Sequence, residues 1–122
     1  MNTAASVILV TGANSGIGLA CAEYLSSKGN HVYGIGRNAQ YKTSRFLYYP
    51  ADVSNEDAVK KIVSYILEKE KHIDILINNA GIHVLGAIEL VAHDIARQLF
   101  DCNFFGSLNM IRAVLPSMRQ RK

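Results

Sequence analysis

The stretch Thr11-Gly12-Ala13-Asn14-Ser15-Gly16-Ile17-Gly18 follows the apolar run Val7-Ile8-Leu9-Val10 and leads into a helical pattern. A strand that breaks at glycines and reopens as a helix aims the first helical turn at whatever sits above the sheet edge. Unpaired backbone N–H groups and the positive end of the helix dipole meet there, which suits a phosphate. Gly12 permits the tight turn, Gly16 leaves room for backbone to approach a pyrophosphate, and Gly18 lets the helix pack close to the strand. The glycines are spaced G-x-x-x-G-x-G, and no Gly-Lys-Ser/Thr follows, so the loop is not a Walker A motif.

The rest of the chain alternates strand and helix. His31 to Ile35, Phe46 to Tyr49 and Ile73 to Ile77 read as further strands. Helical periodicity runs from Ile17 to Lys28, with Ile17, Cys21, Tyr24 and Leu25 on one face, and stops at Gly29-Asn30. A second helix starts with Ser54 as its cap and Asp57 three residues on. It carries the stripe Val59, Ile62, Val63, Ile66 and Leu67. A third runs from about His93 to Met118 through Ile95, Leu99, Cys102, Leu108, Ile111, Val114 and Leu115. Pro116 is placed to kink its end or stop it early. Apolar strands between helices predict a parallel sheet covered on both faces, and right-handed crossovers order it 3-2-1-4. Only Gly36 to Arg45 joins strands two and three. That is near the minimum of about ten to twelve residues for a parallel connection, so its helix is short or absent.

A length of 122 residues suits one domain, 1–122, and the net charge of +3 is mild. The basic tail Arg119-Gln120-Arg121-Lys122 reads as a solvated helix end rather than a nucleic-acid patch. Cys21 and Cys102 form no C-x-x-C or zinc spacing and fall on helical patterns. Buried reduced thiols and a cytoplasmic location are expected. Residues Met1 to Ser6 lack the basic region of a signal peptide, and the apolar run after them is too short to span a membrane. His31, His72, His83 and His93 show no repeated ligand spacing, so no metal is expected; His83 alone is placed to line a pocket, and a surface position suits it better.

Further motifs follow the glycine loop in order. Asp52-Val53 closes the third strand, Asn78-Asn79-Ala80-Gly81 follows the fourth, and Asn103-Phe104-Phe105-Gly106 lies in the third helical pattern. Thr-Gly-x-x-x-Gly-x-Gly, Asp-Val, Asn-Asn-Ala-Gly and Asn-x-x-Gly, in that sequence, resemble the short-chain dehydrogenase/reductase family over nearly the whole chain. The resemblance implies a Rossmann-type doubly wound α/β sheet, incomplete here because the later strands are missing. It implies hydride transfer between a nicotinamide cofactor and a carbonyl/alcohol substrate. It also implies a catalytic Ser and a Tyr-x-x-x-Lys beyond the Asn-x-x-Gly helix. Within these residues Tyr24 and Lys28, in the first helix, and Tyr65 and Lys69, in the second, have that spacing, but both pairs precede the Asn-x-x-Gly helix and cannot serve. The chain therefore reads as the N-terminal cofactor-binding portion of an NADP(H)-dependent oxidoreductase, truncated before the catalytic groups. A non-catalytic NADP(H)-binding or interaction module, or a non-functional remnant, is the alternative.

The expected cofactor-binding residues are Thr11, Gly12, Asn14, Ser15, Gly16, Ile17 and Gly18 in the glycine loop, with Arg37, Asp52, Val53, Asn79, Ala80 and Gly81. The second strand ends Gly34-Ile35-Gly36-Arg37-Asn38, with no acid to meet a ribose 2′-OH and an arginine suited to a 2′-phosphate. NADP(H) is therefore expected over NAD(H), although Ser15 is neutral where many NADP-preferring relatives carry a base and Arg37 could be a plain solvated cation. By resemblance Asp52 meets the adenine amino group with help from the Val53 backbone; as a helix-start residue it would instead compete with Ser54. By resemblance Asn103 is the catalytic-tetrad Asn that orders a water in a proton relay, the alternative being an exposed Asn on a wet helix face. The unpaired side of the fourth strand predicts a homo-oligomer or other self-association. No nucleic-acid or membrane partner is expected.

Overall fold

A computed structural model describes residues 4–122. The expectation about a leader rests in part on residues 1–3, which lie outside the described residues. The order of elements is β1 (Val7–Thr11), α1 (Gly16–Ser27), β2 (His31–Gly36), β3 (Leu47–Pro50), α2 (Glu56–Glu70), β4 (Ile75–Ile77), α3 (His93–Phe100) and α4 (Ser107–Arg121). A 3-10 turn, Ile88–Leu90, precedes α3, and a π-helical turn, Asp101–Gly106, joins α3 to α4. All strand pairings are parallel and the order is β3-β2-β1-β4. This is the doubly wound Rossmann-type arrangement.

Residues of β1 alternate between two cores, because successive side chains of a strand point to opposite faces. Val7 and Leu9 join Val59, Val63, Ile66, Met110 and Val114 from α2 and α4. Ile8 and Val10 join Ala22 of α1, Val32 and Phe46. The crossover between β2 and β3 contains no helix. Phe46, near its end, packs on the α1 side of β2, where a Cβ on Gly34 would lie 2.6 Å from its ring. Among the described residues no helix is long and apolar enough to cross a membrane.

The structure corrects four local expectations. In α1 the buried positions are Gly18 and Ala22, with Leu19 and Leu25 packed beside them, while Ile17 and Tyr24 are 76% and 61% exposed. The closest face is the one with the smallest side chains, since α1 must approach the Gly12 backbone. Second, Ser54 does not cap α2. Its N–H and Oγ both bond Asp52 Oδ1, at 2.9 and 2.7 Å, and Asn55 is the cap, accepting from Ala58 N at 3.1 Å. Third, the helical pattern from His93 is interrupted by the π turn, which changes its phase. Cys102, Gly106, Met110 and Val114 are buried, four residues apart, and Ile111 is 42% exposed. Fourth, α4 does not stop early at Pro116 but runs through it to Arg121. The proline leaves only the carbonyl four residues back without its helical donor, and Arg112 is exposed to water there. Cys102 is a buried free thiol, whereas Cys21 is only half-buried.

One carboxylate ties the lower ends of several elements together. Asp74 accepts from Val7 N at 2.8 Å and from Arg121 at 2.7 Å, and His72 Nε2 lies 3.2 Å away. The Val7 N–H, opposed by partial burial and reinforced by Arg121, holds the Asp74 carboxyl below its ordinary range. A depressed carboxyl pKa contributes stability that is complete above the unfolded value, about 4, and fades as the pH falls through the folded one. Asp74→Ala is expected to cost roughly 1–2 kcal/mol at pH 7, a difference that shrinks below about pH 4, as read by chemical denaturation across pH.

Candidate functional site

The carboxyl ends of the parallel strands form one edge, where ligands bind in open sheets of this kind. A cleft of about 460 Å³ opens there. Its walls come from the loop after β1 (Gly12, Asn14, Ser15), the end of β2 (Ile35, Gly36, Arg37, Asn38) and the end of β3 (Ala51, Asp52, Val53). The loop after β4 (Ala80, Gly81, Ile82) and Cys102 of the π turn complete it.

The glycine loop has the geometry its sequence demands. Gly12 and Gly16 have φ of 64° and 55°, the left-handed region that side chains disfavour. Gly18 lies against the loop it follows, since a Cβ there would sit 2.1 Å from Gly12 O. Ser15 is the N-cap of α1 but makes no side-chain bond to its first turn. Those N–H groups therefore remain open at the rim. Gly16 and Ile17 are exposed at that rim.

Thr11 and Asn79 do not line the cleft. They stand behind it and fasten two strand ends together. Thr11, 1% exposed, accepts at Oγ1 from Asn79 N (3.0 Å) and Ala80 N (2.9 Å). Asn79 Nδ2 donates back to Thr11 O (3.1 Å) and Gly12 O (3.3 Å). A buried amide without a partner is costly, and this exchange satisfies four backbone groups where the ladder ends.

Asn103 sits in the π turn, and its side-chain amide brackets Ile82. Oδ1 accepts from Ile82 N and Nδ2 donates to Ile82 O, both at 2.8 Å. The turn presses on the third strand's end, where a Cβ on Gly106 would lie 2.5 Å from Val53 Cγ2. Asn109 of α4 donates to Val53 O at 3.0 Å. The contributions of Ile82, Cys102, Asn38 and Asn109 were not anticipated. Ile82, Asn38 and Cys102 each adjoin an expected residue in the sequence, whereas Asn109 reaches the site only through the packing of α4.

Charge in the cleft is divided. Arg37 is exposed and has no ion-pair partner among the described residues. Asp52 spends Oδ1 on Ser54. Burial pushes the Cys102 thiol above its ordinary value, with Arg37 only partly offsetting it, so the sulfur faces the cleft as a neutral group.

A sequence profile described as short chain dehydrogenase matches residues 6–122. The chain belongs to the short-chain dehydrogenase family. It is 39% identical to a 3-ketodihydrosphingosine reductase of Bacteroides thetaiotaomicron, across 95% of this chain and 43% of that protein. It is 34% identical to dehydrogenase/reductase SDR family member 7B of Rattus norvegicus, across 96% of this chain and 41% of that one. A short-chain dehydrogenase structure from Streptomyces avermitilis superposes with a TM-score of 0.91 at 34% identity, covering 97% of this chain and 46% of that chain. The ligand-free aldohexose dehydrogenase of Thermoplasma acidophilum gives 0.88 at 32%, covering 95% and 45%. The chain thus spans less than half the length of these relatives. The family is one of oxidoreductases that use nicotinamide cofactors.

The bracing of the cleft carries its own test. Thr11→Val keeps the shape but orphans the Ala80 N–H and leaves Asn79 N only Ile77 O, 3.1 Å away, and is expected to cost about 1–2 kcal/mol in chemical denaturation. Gly18→Ala drives a methyl into Gly12 O, which must shift the loop and should lower stability at least as much, by about 2 kcal/mol or more.

Proposed function

We propose that the cleft binds a nicotinamide dinucleotide, NADP(H) in preference to NAD(H), as part of an oxidoreductase acting on a carbonyl/alcohol pair. The junction after β2 carries this proposal: Gly36 is crowded by Asn14 and Tyr48, and the next residue is Arg37, a cation with no ion-pair partner among the described residues. A guanidinium favours a 2′-phosphate, and the acid that would meet a ribose 2′-OH is missing. The cleft volume of about 460 Å³ is within the usual range of ligand sites.

Each residue then has a task. The open N–H groups at the start of α1, with Gly12, Asn14, Ser15, Gly16, Ile17 and Gly18, would hold the pyrophosphate. The free oxygen of Asp52 and the Val53 backbone would meet the adenine. Ala80 and Gly81, too small to obstruct, would pass the nicotinamide-side ribose, braced from behind by Thr11 and Asn79. Asn103, a tetrad member by resemblance, positions Ile82 with both side-chain atoms. When bound, the cofactor supplies a two-electron hydride donor or acceptor. The named relatives reduce or oxidise substrates as different as a ketodihydrosphingosine and an aldohexose, so no particular carbonyl compound is assigned to this chain. Its reduced thiols accord with a cytoplasmic setting.

Titration with NADPH and NADH tests the cofactor assignment. Arg37→Ala is expected to weaken NADPH by about tenfold or more, the scale of a charge-assisted contact. Arg37→Asp should invert the preference. Equal binding of both cofactors, untouched by either substitution, would end the NADP(H) assignment.

Self-association is a second proposal, supported by one edge of the sheet. Among the described residues β4 is paired only with β1, and Ile75 is 42% exposed. An apolar open edge templates further pairing. Light scattering with size exclusion should show mass rising with concentration; a monomer at every concentration would contradict it.

A further inference from the structure

The turn that carries Arg37 is fastened by a residue of the third strand. Tyr48 Oη donates to Asn38 O at 2.9 Å. The same carbonyl accepts from Tyr41 N at 3.4 Å, and the Tyr41 ring meets the Tyr48 ring edge-on with centroids 4.8 Å apart. Asn38 Oδ1 also accepts from Gln40 N at 2.9 Å. The chain from Asn38 to Tyr41 is therefore bonded to itself and to β3.

The Tyr48 hydroxyl also lies over Gly36. A Cβ at that position would sit 2.6 Å from Tyr48 Oη and 2.3 Å from Asn14 Oδ1. Tyr48 cannot swing aside freely, because its ring is packed on Tyr41 and its hydroxyl is held by Asn38. Burial pushes the phenol above its ordinary value, outweighing the opposing effect of the Asn38 bond, so the donor keeps its proton through the neutral range. Tyr48 does not line the cleft. It acts on the cleft through its neighbours.

We infer that Tyr48 is a positioning residue for cofactor selection: with Asn14 it crowds position 36 and, by bonding Asn38 O, it holds the Arg37 turn at the cleft. The inference rests on the NADP(H) assignment above. It gives the absence of an acid after β2 a physical cause. A carboxylate at position 36 would meet the Asn14 amide and the Tyr48 hydroxyl of the adjacent strand, so packing opposes it there.

The test compares NADPH and NADH dissociation constants, by isothermal titration, for the full chain and its variants. Tyr48→Phe removes one hydroxyl and keeps the ring. It is expected to weaken NADPH about fivefold, the loss of one ordinary hydrogen bond, and to change NADH by less than about twofold. Tyr48→Val, at home in a strand, is the second variant and should lose at least as much selectivity. Tyr49→Phe is the control. Tyr49 faces the other side of the sheet, stacked on Tyr33 and bonded to Tyr65, and its removal should leave the ratio unchanged. The ratio is a readout that a general loss of stability does not move. A wild-type preference for NADPH that inverts in Arg37→Asp but is unchanged in both Tyr48 variants would overturn the inference alone. A wild-type chain without preference would overturn the NADP(H) assignment and the inference with it.

Discussion

Thr11 and Asn79 exchange hydrogen bonds at the point where β1 and β4 leave the sheet, and both walls of the cleft hang from that exchange. The ladder ends at Ile77, which leaves the amide of Ala80 without a strand partner and that of Asn79 with only a turn bond to Ile77 O. Thr11 Oγ1 supplies one acceptor to both, and the Asn79 side chain repays the carbonyls of Thr11 and Gly12. Buried backbone groups must be paired, so the two loops are locked in one relative position. The glycine loop on one side and Ala80-Gly81 on the other inherit that position.

Close approach is the second constraint. Gly18 touches Gly12 O, so α1 sits as near to β1 as backbone allows. That distance selects Ala22 rather than Cys21 or Tyr24 for the buried face. The same economy appears at Gly106, which lets the π turn rest on Val53, and at Gly34, which makes room for Phe46. The last contact is why the β2–β3 crossover needs no helix: one aromatic side chain covers the face that a helix would cover.

The π turn joins the two halves of the cleft. Widening the helix over Asp101–Gly106 brings Cys102 to the cleft and lets Asn103 bracket Ile82. Such turns recur where function needs a helix out of its regular phase. The cost is a shift in every later position of α4, which buries Met110 and exposes Ile111.

What the sequence by itself determined is the order of things. Runs such as Val7–Val10 and the stripe on α2 define strands and helices by their periods, which are local properties of the chain. The glycines of 12–18 require φ values and clearances that only glycine meets, so the turn at the sheet edge could be placed from sequence, as could the parallel order 3-2-1-4. Tertiary structure alone decided what each edge touches. The stripe on the last helix was reset by a π turn that the helical period of the sequence does not reveal. Tyr48, one tyrosine among six, acquired its place over Gly36 only when β3 paired with β2. Contacts between residues distant in the chain depend on packing of the whole sheet, and no local period encodes them.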